Sequence, residues 1–441
     1  MKNLILLFLF LLSGCALTTT DSTQSTAKKT YKNERLVQLD NGLKVYLVQD
    51  DSLPQVALQL LIPVGNAFEP SGLEGLNSLT SSLLDKGTKK QKALEISDLL
   101  SDSGADFDSN AGYDFTILST QALTTEFPKV LDLFVKIMTE PQFPDDEINR
   151  VKQLMLVSLK SRRDRSGSLA DLEMTQNFYS GHPYGRDLFG SMDSINKITR
   201  KNILDFYKKH YHPKGSYLAV SGRISPEIEK QILKQFSSWN SNQAREVLKV
   251  PFQASQNAKE KFRVLPTPHK AQTEIRIIQP GIPRAHPDFL KYRLANEILG
   301  GSFASRLNQK IRDDLGLTYS IYSYLDNRDV SGSWVISTFS KNEAADQTIS
   351  EIHKLVKNFY EKGITNEELS AAKNLAKAQL PRALETSDKL AFNLMVLDFY
   401  GVGANYFITY NDEIDKITKN EVNQVIRKHF QDQQLQTFSF R

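Results

Sequence analysis

Gly75-Leu76-Asn77-Ser78-Leu79-Thr80-Ser81-Ser82-Leu83-Leu84-Asp85-Lys86-Gly87-Thr88 is the stretch on which the reading of this chain turns. Leu73 to Leu84 carries the apolar spacing of a helix. Its polar positions include the hydroxyls of Ser78, Ser81 and Ser82. A neutral hydroxyl is a poor ligand for a transition metal and no base near neutral pH, so these side chains offer close packing and little chemistry.

Working outward, Leu36 to Leu39, Asp40-Asn41-Gly42 and Leu43 to Val48 read as strand, tight turn and strand, with Asn-Gly supplying positive φ angles. Gln55 to Val64 and Ala111 to Gln121 read as further strands. Gln91 to Leu100, Glu126 to Met138 and Asp145 to Arg163 have helical spacing. Strands and helices mix without strict alternation, which predicts an α+β domain with helices on one face of a mostly antiparallel sheet. A polar stretch from Ser237 to Lys261 has the makings of a linker, and the pattern then begins again. Thr273 to Gln279, Thr318 to Leu325, Ser333 to Phe339 and Leu435 to Phe440 are the expected strands of the second half. Pro287 to Leu299 and Ala304 to Asp314 are helical, and Thr365-Asn366-Glu367-Glu368 is a capping box that opens a long helix. Two similar domains are therefore expected, 32–236 and 262–441, joined by 237–261, with a duplicated unit behind them.

The 441 residues suit two or three domains at roughly 150 residues each. Apolar residues make up 40%, charged residues 24% and aromatics 10%, which is ordinary globular usage. Fifty-five Lys and Arg against 51 Asp and Glu leave a net charge of +4 without a basic stripe, so nucleic acid is not an expected partner. Lys2 precedes an apolar run from Leu4 to Leu12, shorter than the roughly 20 residues a membrane span needs, and Leu12-Ser13-Gly14-Cys15 follows. This is similar to a bacterial lipoprotein signal, in which residues 1–14 are removed and Cys15 is acylated. Residues 15–31, rich in Thr, Ser, Lys and Gln, would be a tether. Ala16 in place of Asp points to the outer membrane, facing the periplasm. With a single cysteine, disulfides and thiol catalysis are not expected.

The Gly75–Thr88 stretch resembles the signature helix of the pitrilysin/insulinase family of zinc peptidases, which includes the mitochondrial processing peptidase. In that family the helix begins with Gly, carries His-x-x-Glu-His and ends in Lys-Gly-Thr. Registering on Lys86-Gly87-Thr88 puts Ser78 and Ser82 at the two histidine positions and Ser81 at the glutamate. The family's third ligand, a Glu on a later helix, falls near Val157 or Ser158, and no acid lies between Ile148 and Arg163. The likeness continues through His182-Pro183-Tyr184-Gly185, Gly190-Ser191, Tyr207, Tyr211 and Pro213, where His182 is a packing or hydrogen-bonding residue. Ala105 to Ala111 resembles the family's substrate edge, with Asp108-Ser109 where Asn-Ala is usual.

Ile311-Arg312-Asp313-Asp314-Leu315-Gly316-Leu317-Thr318-Tyr319 is similar to the stretch in which an Arg and a Tyr seven residues later reach across to substrate at the zinc site. The resemblance makes Arg312 a holder of a peptide carbonyl and Tyr319 a donor to the developing oxyanion. Arg312 would end a helix, Gly316 would terminate it, and Tyr319 would open the next strand. The plainer alternative makes Arg312 a solvated partner of Asp313 or Asp314, and Tyr319 a core residue beside Ile321 and Leu325.

Other chemistry finds no support. Ser194-Ile195-Asn196-Lys197 fits Ser-x-x-Lys without its companion motifs, and no nucleophile elbow or Walker loop occurs. His210 and His212, two apart as on one side of a strand, lack a third partner. The resemblance implies half of a clamshell whose zinc sits on one half and whose Arg/Tyr pair sits on the other. The expected function is a non-catalytic, substrate-binding subunit of a periplasmic heterodimeric zinc peptidase acting on unfolded peptides. It would have no metal of its own, a zinc-bearing homologue as partner, and membrane contact through the lipid alone. The alternative is an inactive binding or scaffold lipoprotein of the envelope.

Overall fold

The turn at Asn41-Gly42, with Gly42 at φ +88°, joins β1 (Glu34–Gln38) to β2 (Lys44–Gln49) as an antiparallel pair. The computed structural model describes residues 34–162, 164–241, 243–248, 250, 252, 261–263, 271–403, 405–431 and 434–440. The expected signal, Cys15 and the expected tether lie outside the described residues. In chain order β3 (Gln55–Ile62), α1 (Leu76–Ser82), α2 (Ala93–Asp102), β4 (Asp108–Ala111), β5 (Thr116–Leu123), α3 (Phe127–Thr139) and α4 (Asp145–Arg162) follow. Then come α5 (Ser166–Phe178), α6 (Met192–Lys197), α7 (Arg200–His210), β6 (Tyr217–Gly222) and α8 (Pro226–Ser237). The second half contains β7 (Lys261–Arg263), β8 (Gln272–Pro280), α9 (Phe289–Asn296), β9 (Ile321–Asn327), β10 (Gly332–Lys341) and α10 (Ala345–Lys362). It ends with α11 (Asn366–Ala383), α12 (Ser387–Phe399), α13 (Tyr406–Lys416), α14 (Lys419–His429) and β11 (Gln436–Phe440). No helix among the described residues is long and apolar enough to cross a membrane.

The two sheets share one plan. The first is ordered β1-β2-β6-β3-β5-β4 and the second β7-β11-β8-β10-β9. In each, the first core strand lies parallel to the last (β2 with β6, β7 with β11), and every remaining pair is antiparallel. Setting β1 aside, the strands correspond one to one. The duplicated α+β unit expected from the segment order is thus visible as a repeated topology.

Three local expectations need correction. Ala111 to Gln121 is not one strand: β4 and β5 meet at a turn in which the Gly112 N–H donates to the Phe115 carbonyl at 2.9 Å. The strand expected from Thr318 starts at Ile321, because the Ser320 N–H donates to Thr318 Oγ1 at 3.2 Å. A side chain that bonds its own backbone competes with the ladder. His210 closes α7 and His212 follows it, so neither stands on a strand.

Each half's own helices cover one face of its sheet, and the other face is covered by a helix from the other half. Val45 and Leu47 face α3 and α8 with Leu58 and Leu60, whereas Tyr46, Val48, Leu61, Tyr217 and Ala219 pack under α12. This double burial accounts for the unbroken apolar run of β2. In return α5 lays Ala170, Met174 and Phe178 on Ile278, Val335, Phe438 and Phe440 of the second sheet. Polar bonds fix both exchanges. Asp398 accepts from Lys44 Nζ at 2.8 Å and from the Tyr46 hydroxyl at 2.9 Å, and Asp171 accepts from Arg276 Nε at 2.6 Å.

A third contact between the halves is built on a buried cation. Arg328, 6% exposed, follows β9 and enters a cage of first-half tyrosines, its guanidinium carbon 3.7 Å from the Tyr113 ring centre, 4.7 Å from Tyr184 and 4.8 Å from Tyr179. Asp326 pairs with it at 2.7 Å. Beside the cage, Asp114 accepts from the Tyr184 hydroxyl, the Asp329 N–H (3.0 Å) and the Tyr400 hydroxyl (3.2 Å).

Candidate functional site

Helix α1 has no capping side chain of its own, because Gly75 holds that place in a left-handed conformation at φ +89°. Any Cβ there would meet Ile195 Cδ1 at 2.7 Å and the Phe189 carbonyl oxygen at 2.8 Å. The cap comes from Glu69 instead, whose buried carboxylate accepts the Gly75 N–H at 3.0 Å and the Asn77 N–H at 2.7 Å. Asn77 then donates to Thr116 Oγ1 (2.9 Å) and accepts from the Tyr211 hydroxyl (3.0 Å), which pins the helix to β5 and to the end of α7. A fully bonded polar network of this kind holds its members in one arrangement.

The three serines are not equivalent. The buried Ser78 donates its hydroxyl to the Leu188 carbonyl at 2.5 Å and accepts from Asn66 Nδ2 at 3.3 Å. Ser81 turns back to the Ser78 carbonyl at 3.1 Å. Ser78 and Ser82 line an open cleft of about 480 Å³. Asp108 and Ser109 of β4 and Arg150, Leu154 and Ser158 of α4 form its other walls. Ser158 therefore faces Ser78 and Ser82, as a third ligand would in the register taken from Lys86-Gly87-Thr88. The donor set does not fit zinc. Hydroxyls occupy all three positions, and Ser78 already spends its proton on a carbonyl. The acid Asp85 in the same cleft is paired with Lys86 at 2.5 Å. β4 is the free edge of its sheet, so the cleft runs beside unpaired backbone N–H and C=O groups.

Arg312 and Tyr319 stand together in the second half and do not line that cleft. Arg312 lies in a π-helical stretch, Asn308–Asp314, and the Gly316 N–H closes onto its carbonyl at 3.2 Å with Gly316 at φ +59°. Tyr319 precedes β9 and does not open it, and it is 80% exposed, which removes the core alternative. Asp313 is 3.9 Å from Arg312, a loose pair in solvent. The guanidinium instead lies between two exposed rings, 4.7 Å from Phe303 and 5.7 Å from Tyr319. Such stacking fixes a planar cation while leaving its donors free.

The family model for insulinase (peptidase family M16) matches residues 44–191, and that for the peptidase M16 inactive domain matches residues 197–376. The chain belongs to the M16 peptidase family. An uncharacterized zinc protease of Rickettsia felis is 25% identical over 356 residues, 80% of this chain and 84% of that protein. A Helicobacter pylori protein named non-peptidase homolog YmxG is 23% identical over 398 residues, 88% of this chain and 90% of that protein. The crystal structure of a peptidase M16 inactive domain from Pseudomonas fluorescens matches with a TM-score of 0.86 at 25% identity, covering 92% of this chain and 97% of that one. Within M16 this chain is similar to inactive-type members, through the inactive-domain model matched over residues 197–376 and the relative named a non-peptidase homolog.

The M16 register locates the serines, but it does not reveal what supports them. Glu69, Asn66 and Asn77 are silent in the sequence, where the one hint is an acid shortly before a helix that lacks a capping side chain. His182 behaves as expected: Nδ1 accepts the Tyr184 N–H at 3.1 Å and Nε2 is 3.0 Å from the Val250 carbonyl. Burial pushes the Glu69 carboxyl well above its ordinary 4.5, against the pull of the Asn77 and Gly75 N–H groups. A carboxyl so raised binds its proton more tightly in the folded chain. The stability this adds is full below about pH 4.5 and is lost as pH rises through the folded value. Glu69→Gln is expected to cost about 1–3 kcal/mol near neutral pH by presenting an amide to an N–H donor. It should also flatten the decline of melting temperature with rising pH. An unchanged slope in melting scans from pH 4.5 to 8 would remove Glu69 as its source.

Proposed function

We propose that this M16 homologue is the non-catalytic, substrate-binding subunit of a heterodimeric zinc peptidase of the bacterial envelope. Lipid on Cys15 anchors it, and its partner is a homologue bearing His-x-x-Glu-His with zinc.

We propose, more fully, that the anchor is the lipid on Cys15 facing the periplasm from the outer membrane, and that unfolded peptides are held between the two subunits. The observation that carries this reading is the exposed Arg312–Tyr319 pair, preformed by stacking and not part of the lining of the chain's own cleft. A guanidinium holds a peptide carbonyl, and a phenol donates to the oxygen that gains charge as the partner's zinc-bound water attacks. On this chain the free β4 edge offers backbone pairing to an extended peptide.

Affinity capture from detergent-solubilised envelopes is expected to bring down a homologue carrying His-x-x-Glu-His. With that partner, Tyr319→Phe should lower kcat on the order of a hundredfold, the usual scale for one oxyanion donor. Arg312→Ala should chiefly raise KM. A complex that cuts peptide equally well with either variant would defeat the assignment. Capture of other envelope proteins without any such homologue would favour a scaffold role.

A further inference from the structure

His286 and Asp288, just ahead of α9, meet His429, the last residue of α14, in the half that lacks the serine helix. Asp288 Oδ2 is 3.4 Å from His429 Nε2 and 3.9 Å from His286 Nδ1, and one donor atom from each of the three residues lies within 4.8 Å of the others. All three side chains are partly buried. The two imidazoles pack edge to face at 5.5 Å, and Tyr292 backs His429 at 5.6 Å. We infer that His286, Asp288 and His429 form a binding site for a borderline divalent transition cation such as Zn²⁺.

A tetrahedral ion with bonds of about 2.0–2.1 Å sets its ligands about 3.3 Å apart, a spacing Asp288 and His429 already have. His286 closes the remainder by a side-chain rotation that exchanges the hydrogen bond its Nδ1 accepts from the Asp288 N–H (3.0 Å) for a metal bond. Water completes the fourth position on the solvent side. Two imidazoles select against Ca²⁺ and Mg²⁺, which prefer oxygen. Two ammonium groups compete for the carboxylate: Lys428 Nζ lies 3.0 Å from Oδ2 and Lys291 Nζ 3.7 Å from Oδ1. Lys428 is largely exposed and can swing away as the ion enters.

That competition supplies the sharpest test. After chelator treatment, equilibrium dialysis of the full chain against Zn²⁺ is expected to give one ion per chain. His286→Ala and His429→Ala should each weaken binding at least tenfold, while Lys428→Met should tighten it severalfold. Ser78→Ala should leave it unchanged. With Co²⁺ in place of Zn²⁺, the visible absorption of a tetrahedral site should appear and vanish in His429→Ala. No uptake at micromolar Zn²⁺, uptake that survives both histidine substitutions, or weaker binding in the exposed and structurally undemanding Lys428→Met would each overturn the site. The measurement needs neither partner nor peptide, so its failure would leave the subunit proposal standing.

Discussion

Arg328→Ala is expected to destabilise the chain by about 3 kcal/mol or more, the lower end of what breaking a buried ion pair costs. Three losses combine. The guanidinium leaves a void among Tyr113, Tyr179 and Tyr184, its contacts with their rings disappear, and the Tyr184 carbonyl loses a donor at 3.2 Å. Asp326 moderates the cost, because it is 35% exposed and can take up water once its partner is gone. Arg328→Lys keeps the charge but not the plane that lies against Tyr113, so it should recover only part of the loss. Guanidinium unfolding would report this as a lower midpoint at constant slope. A change below about 0.5 kcal/mol, typical of an unremarkable surface substitution, would mean that the cage is not a stabilising contact between the halves.

Rebuilding the metal site should have the second large effect. Ser78→His, Ser81→Glu, Ser82→His and Ser158→Glu, combined in one chain, are expected to bind zinc at the serine helix with at worst a micromolar constant, about 8 kcal/mol. The geometry favours it, since Ser78 and Ser82 are one turn apart on α1 and Ser158 lines the same cleft from α4. The Leu188 carbonyl, which now takes the Ser78 proton, is placed to accept from the Nδ1–H of an imidazole at 78 and leave Nε2 for the metal. The measurement belongs in a His429→Ala background, so that ions held by the second half are not counted. Failure of the rebuilt, folded chain to take up zinc would show that the Lys86-Gly87-Thr88 register does not bring these positions together.

Local signals were the legible ones. The Asn41-Gly42 hairpin and the Thr365–Glu368 capping box fold as their residues dictate, because each is settled within a few positions of the chain. The repeated plan was legible as an order of segments, while its strand pairing was not. The break between β4 and β5 lies at Gly112 and Asp114, turn-favouring residues that a reading by apolar spacing runs straight through. Tyr319 was misplaced by two residues for a similar reason: the Thr318 hydroxyl redirects the backbone, and hydrophobic spacing cannot register that. At the site, the serines and Arg312 were visible through their motifs. Glu69, which caps α1 from seven residues upstream, and Phe303, which supports Arg312 from nine residues away, depend on where the chain returns in space. The cluster at His286 and His429 depends on that still more.

The exchange of α5 and α12 between the sheets limits how this molecule can move. Hinging the halves apart would strip α12 from Tyr46, Val48 and Tyr217 and α5 from Phe438 and Phe440, wetting large apolar faces on both sides at once. The chain should therefore swing as a single stiff leaf. Under the proposed pairing, any gape wide enough to admit a polypeptide must open along the seam with the partner, and the lifetime of that seam would set how long a captive strand is retained.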